Sequence, residues 1–97
     1  MAIEENLARQ RQLYGEPLAD IARRIRGDLE LTQAGLAQVL GLSAPMMSQL
    51  LSGQRAKIGN PAVLGRLQAL AELAQQAPKL TTAQRTERLQ EIREATP

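Results

Sequence analysis

The chain has 97 residues, 12 basic and 10 acidic, for a net charge of +2, which allows one domain and leaves no room for a second core. It contains no Cys, His, Trp or Phe. That excludes a disulfide framework, removes thiolate and imidazole metal ligands and removes the commonest general base, so neither an enzyme nor a cofactor is expected. Tyr14 is the one aromatic residue, which argues against stacking platforms for single-stranded nucleic acid.

Leu and Ala dominate, Val occurs only at Val39 and Val63, and no stretch alternates apolar and polar residues over strand length, so the expected class is all-α. Breakers cut the chain into helical pieces. The first spans about 3–14 and ends at Gly15, with Ile3, Leu7 and Tyr14 near helical spacing. A second starts around Glu16-Pro17, with Pro in the first turn, and carries Leu18, Ile21, Ala22, Ile25 and Leu29 on one face. Thr32 is a capping type before a helix over Gln33–Leu40, which Gly41 ends. Ser43 caps the next helix, Pro45 fits its first turn, and Gly53 stops it.

Residues 53–60 read as a loop. Asn60 caps and Pro61 starts a longer helix to about Gln76, with Val63, Leu67, Leu70 and Ala74 on its apolar face. Pro78 breaks the chain, and Thr82 is the candidate cap of a last helix over 83–95 with Leu89 and Ile92 as its apolar contacts. No apolar run approaches the ~20 residues of a membrane span. The acidic start Met1-Ala2-Ile3-Glu4-Glu5 does not read as a signal peptide, so a cytoplasmic protein is expected.

Two short helices meeting across Gly41-Leu42-Ser43 have the spacing of a helix-turn-helix. Ala37 is small enough for a close crossing, Gly41 permits positive φ, Leu42 plugs the corner, and Leu36, Leu40, Met47 and Leu50 fill the space beneath. The stretch Leu31-Thr32-Gln33…Leu36-Ala37…Leu40-Gly41-Leu42-Ser43…Met47-Ser48…Leu50…Gly53-Gln54-Arg55 resembles the XRE-type family of lambda-repressor-like and Cro-like helix-turn-helix domains, over roughly residues 18–74.

The resemblance implies a lambda-repressor-like bundle of about five helices at 16–77, with helical extensions at 1–15 and 78–97. It implies a sequence-specific regulator of transcription, nucleoid-associated, that binds double-stranded DNA with helix 44–52 in the major groove. Carried onto this sequence, the outward positions are Ala44, Pro45, Met46 and Gln49, with Ser48 on the flank. Gln49 suits adenine N6 and N7, while Ala44, Pro45 and Met46 suit a thymine methyl. Ser43 caps and is a candidate phosphate or base contact. Gln33, at a helix start, approaches the backbone. Arg55 and Lys57 are phosphate candidates.

No acid occurs from Leu31 through Ala71, where Arg55, Lys57 and Arg66 give a local charge of +3. Arg66 reads as a solvated side chain, and Arg23, Arg24 and Arg26 as a face paired with Asp20, Asp28 and Glu30. The chain departs from the family pattern in two places. Leu51 stands where an acid is common, which leaves Arg26 in need of another partner, and the recognition helix has no Arg or Lys. A homodimer is expected, built from residues 2–14, the helix after Pro61 and the segment 82–95. No small-molecule effector and no membrane partner are expected. The alternative is a protein-interaction module, such as an antitoxin or adaptor, that offers Ala44-Pro45-Met46 to a protein partner.

Overall fold

The computed structural model describes residues 2–95, and residues 1, 96 and 97, at the outer ends of the two expected extensions, lie outside them. Among the described residues six α-helices follow in chain order: α1 Ala2–Tyr14, α2 Leu18–Leu29, α3 Gln33–Leu40, α4 Ala44–Ser52, α5 Pro61–Gln76 and α6 Thr82–Glu94. A single 3-10 turn, Ala77–Lys79, separates the last two. The described residues contain no strand, as the scarcity of β-branched and aromatic side chains requires.

The core forms where α2 meets α5. Helix α2 buries Leu18, Ile21, Ala22, Ile25 and Leu29, and α5 buries Val63, Leu67, Leu70, Leu73 and Ala74. Leu36, Leu40, Met47 and Leu50 enter from α3 and α4, and Ile58 enters from the loop before α5. Leu36 and Leu70 are both 0% exposed. Truncating either to Ala removes apolar area and leaves a cavity, at about 2–5 kcal/mol. Helix α6 lies on α3 and α5, with Leu89 and Ile92 half-buried against the core.

Local chemistry sets the helix ends, and two expected boundaries move. Pro17 is not inside the first turn of α2. It is the extended cap residue before it, at φ −60° and ψ 143°, and the N–H of Leu18, which a proline cap has no side chain to satisfy, donates to the side chain of Gln10. Thr81, not Thr82, caps α6. Its hydroxyl accepts from the Gln84 N–H at 3.1 Å, and the Gln84 side chain accepts from the Thr81 N–H at 2.9 Å. At Asn60 the expectation holds, since its side chain accepts from the Ala62 N–H at 2.9 Å and Pro61 opens the helix.

The charged face of α2 is paired differently from its sequence spacing. Arg23 reaches Asp20 at 3.4 Å as expected, but Arg24 turns back to Glu16 and holds that carboxyl below the usual carboxylate range. Arg26 donates to the Leu31 carbonyl at 3.2 Å, which supplies the partner that Leu51 does not. Glu30, at the left-handed end of α2, faces Arg85 of α6 at 3.9 Å.

Candidate functional site

Helices α3 and α4 are joined by Gly41, Leu42 and Ser43. Thr32 caps α3 by accepting from the Gly35 N–H at 2.9 Å. The helix ends at Gly41, whose φ of 84° is left-handed and favours glycine. There the N–H groups of Gly41 and Leu42 both donate to the Ala37 carbonyl at 2.9 Å. Leu42 is half-buried against the core, and Ala37 is buried in the crossing. Ser43 then caps α4, its Oγ accepting from the Met46 N–H at 3.2 Å.

This arrangement fixes which residues of α4 face outward. Met47 and Leu50 point into the core. Ala44, Pro45, Ser48 and Ser52 are exposed, so Ser48 belongs to the open face rather than its flank. Met46 and Gln49 are half-buried, and Met46 packs on the edge of the core. Gln49 accepts at Oε1 from Arg55 Nε at 2.8 Å, while its backbone carbonyl accepts from the Arg55 N–H at 3.1 Å.

Two crevices bring the remaining sequence-identified residues to this helix. One, of about 270 Å³, is lined by Gln33, Ala34, Ala37, Ala44 and Met47, and places the start of α3 beside the start of α4. The other, of about 230 Å³, has Leu42, Met46, Leu50 and Ile58 for its apolar wall, with Arg55, Lys57 and Asn60 alongside. Arg55 and Lys57 are exposed, and neither forms an ion pair among the described residues.

Arg66 does not belong to this surface. It is half-buried and donates from Nη1 to the Leu40 carbonyl at 3.0 Å, and from Nε and Nη2 to the Ala95 carbonyl at 3.1 and 2.8 Å. It ties the ends of α3 and α6 together instead of being solvated. The acid-free segment therefore offers two cations to a partner, not three.

Three residues of α1 that sequence reasoning did not assign to the site are bound to its edge. Gln10 is 0% exposed. Its Nε2 donates to the carbonyls of Leu50 and Arg55, both at 2.9 Å, and its Oε1 accepts from the Leu18 N–H at 2.9 Å. Asn6 donates to the Gly53 carbonyl at 2.8 Å, and the Tyr14 hydroxyl accepts from the Ile58 N–H at 2.9 Å. The signal was the four-residue spacing of Asn6, Gln10 and Tyr14, which sets three polar groups on one helix face.

Compared with known proteins, the chain matches no family model, no curated protein and no solved structure.

Proposed function

We propose that the protein is a sequence-specific double-stranded DNA-binding regulator of transcription of the XRE, lambda-repressor-like type, with α3 and α4 as its helix-turn-helix. The observation that carries the reading is the surface around α4. Its first turn is open at Ala44 and Pro45, and two exposed cations, Arg55 and Lys57, follow it with no acid from Leu31 through Ala71 to oppose them. In the proposed complex α4 enters the major groove, and Ala44, Pro45 and Met46 meet thymine methyls. Gln49 pairs with adenine. Ser48 and Ser43 contact the adjoining backbone or base edges, while Gln33, Arg55 and Lys57 take phosphates.

The recognition helix carries no charge, so A·T-rich sites and groove shape are the expected basis of selection. One unit reads only a few base pairs. A homodimer on half-sites about 34 Å apart is therefore part of the proposal. Segments α1, α5 and α6 remain its candidate surfaces, though each also packs within its own chain.

In-vitro selection from a random duplex pool tests the reading. The expected result is an enriched, pseudo-palindromic site, with a dimer mass by sedimentation. A pool that enriches nothing overturns it. The uncharged face of Ala44, Pro45, Ser48 and Ser52 favours one second reading, a protein-interaction module docking through that face. It predicts no enrichment together with capture of a protein partner that Ala44→Glu abolishes.

A further inference from the structure

Between the end of α4 and the start of α5 the chain runs through residues 53–60 without a regular element of more than a turn. Such a segment has no ladder to fix its backbone, yet it carries both exposed cations of the site. Its own backbone bonds end early. Gly53 N–H donates to Leu50 at 3.4 Å and Arg55 N–H donates to Gln49 at 3.1 Å.

The remaining bonds to the backbone of residues 53–58 come from one side of one helix. Asn6 takes the Gly53 carbonyl, Gln10 takes the Arg55 carbonyl, and Tyr14 takes the Ile58 N–H. Successive anchoring side chains on α1, two donors and then the Tyr14 acceptor, are one turn apart, a rise of roughly 6 Å. Their partners are two and three residues apart, a reach of at most roughly 7 and 10 Å of chain. The two tracks run in the same direction, so α1 serves as a ruler along which the loop is laid.

The buried centre of that ruler is Gln10. An amide has two N–H donors and one acceptor oxygen, and Gln10 uses both donors and the acceptor on Leu50, Arg55 and Leu18. It thereby joins the end of α4, the loop and the start of α2. The Arg55 backbone is held on both sides, through its N–H and its carbonyl, and its guanidinium is held by Gln49. Lys57 lies between two anchored residues, Arg55 and Ile58.

We propose that Asn6, Gln10 and Tyr14 are positioning residues for phosphate contact, in that α1 sets the path of residues 53–58 and so pre-places Arg55 and Lys57 against the DNA backbone. The proposal rests on the DNA-binding reading. Its physical content is preorganisation: cations on a fixed backbone lose less conformational freedom on binding than the same charges on a mobile loop.

The test uses the full chain and leaves Gln10 intact, because removing a wholly buried amide threatens the fold. The variant is Asn6→Ala with Tyr14→Phe, which removes the two outer bonds while retaining the Tyr ring. It is compared with the unmodified chain, and again in an Arg55→Ala, Lys57→Ala background. Amide hydrogen exchange reports the loop without DNA. Binding to a mixed-sequence duplex of about 30 base pairs reports the phosphate contacts, which do not depend on sequence.

The expected result is exchange at residues 53–58 faster by about tenfold, with core amides of α2 and α5 unchanged. Duplex affinity is expected to fall about fivefold in the unmodified background and less than about twofold where Arg55 and Lys57 are already gone. Equal losses in both backgrounds, or faster exchange with unchanged affinity, overturn the positioning role. Unchanged exchange overturns the ruler itself. If the unmodified chain binds no duplex at all, it is the DNA reading that fails, and that result is seen before any variant is made.

Discussion

Arg55 Nε donates to Oε1 of Gln49 across 2.8 Å, so the side chain proposed to read a base is held by a side chain proposed to hold a phosphate. An amide oxygen accepts two hydrogen bonds. Gln49 can keep Arg55 and still accept from adenine N6 while its Nε2 donates to N7. The bond orients the amide in the free chain.

That coupling separates two substitutions that a simple assignment of roles treats alike. Gln49→Ala is expected to relax preference at one base pair, by about 1–3 kcal/mol at that position. Arg55→Lys keeps the charge but replaces the planar guanidinium and its Nε donor with a compact ammonium on a flexible stem. Affinity for mixed-sequence DNA should stay close to that of the unmodified chain, while preference at the Gln49 position loosens. Site selection repeated with each variant checks this, and an unchanged site with Gln49→Ala shows that Gln49 reads no base.

Salt dependence distinguishes the three cations of the acid-free segment. Arg55→Ala and Lys57→Ala should weaken binding to every duplex and reduce the slope of log K against log salt by about 1 each. Arg66→Ala should leave the slope unchanged, since Arg66 is committed to the carbonyls of Leu40 and Ala95. Its loss should appear instead as about 1–2 kcal/mol of stability in urea titration. A reduced slope for Arg66→Ala would place it in the interface after all.

Much of this was legible in the sequence, because much of it is local. The caps at Thr32, Ser43 and Asn60, the left-handed Gly41 and the apolar stripes of α2 and α5 depend on residues within a few positions of one another, and all are found as read. Arg66 was not legible, because its partners lie 26 and 29 residues away. Gln10 was hidden for the same reason, with partners 40 and 45 residues along the chain. A glutamine in a polar helix gives no local sign that it is buried. The pairing of Arg24 with Glu16 rather than with Asp28 follows from the turn before α2, which folds Glu16 back along the helix.

Gln10 gives a sharp test of stability. Replacing it with Glu preserves size but puts a carboxylate oxygen where an NH2 group now donates to the carbonyls of Leu50 and Arg55. One buried and one partly buried acceptor lose their donor, and a charge is buried beside them. The expected loss is about 3 kcal/mol or more at neutral pH. Protonation restores one donor, so the deficit should shrink as pH falls. Urea midpoints at two pH values check both statements. A deficit that does not change with pH would mean that the carboxyl has escaped to solvent.

Gly53 lies under α1, with φ at +83°, and a Cβ there would come within 3.1 Å of the Ile3 and Leu7 side chains. Gly15 has nearly the same backbone, φ +84°, with nothing within 4 Å of a Cβ. Alanine at Gly15 therefore reports left-handed strain alone, about 1–2 kcal/mol. Alanine at Gly53 also pushes the Ile3 and Leu7 side chains by a few tenths of an ångström, and with them loads the Asn6 bond to the Gly53 carbonyl. The expected total is about 2–4 kcal/mol. Faster amide exchange at residues 2–8 should accompany Gly53→Ala and be absent from Gly15→Ala. Equal urea midpoints for the two variants would mean that α1 does not bear on Gly53, and the anchoring of the loop would then have to come from Gln10 and Tyr14 alone.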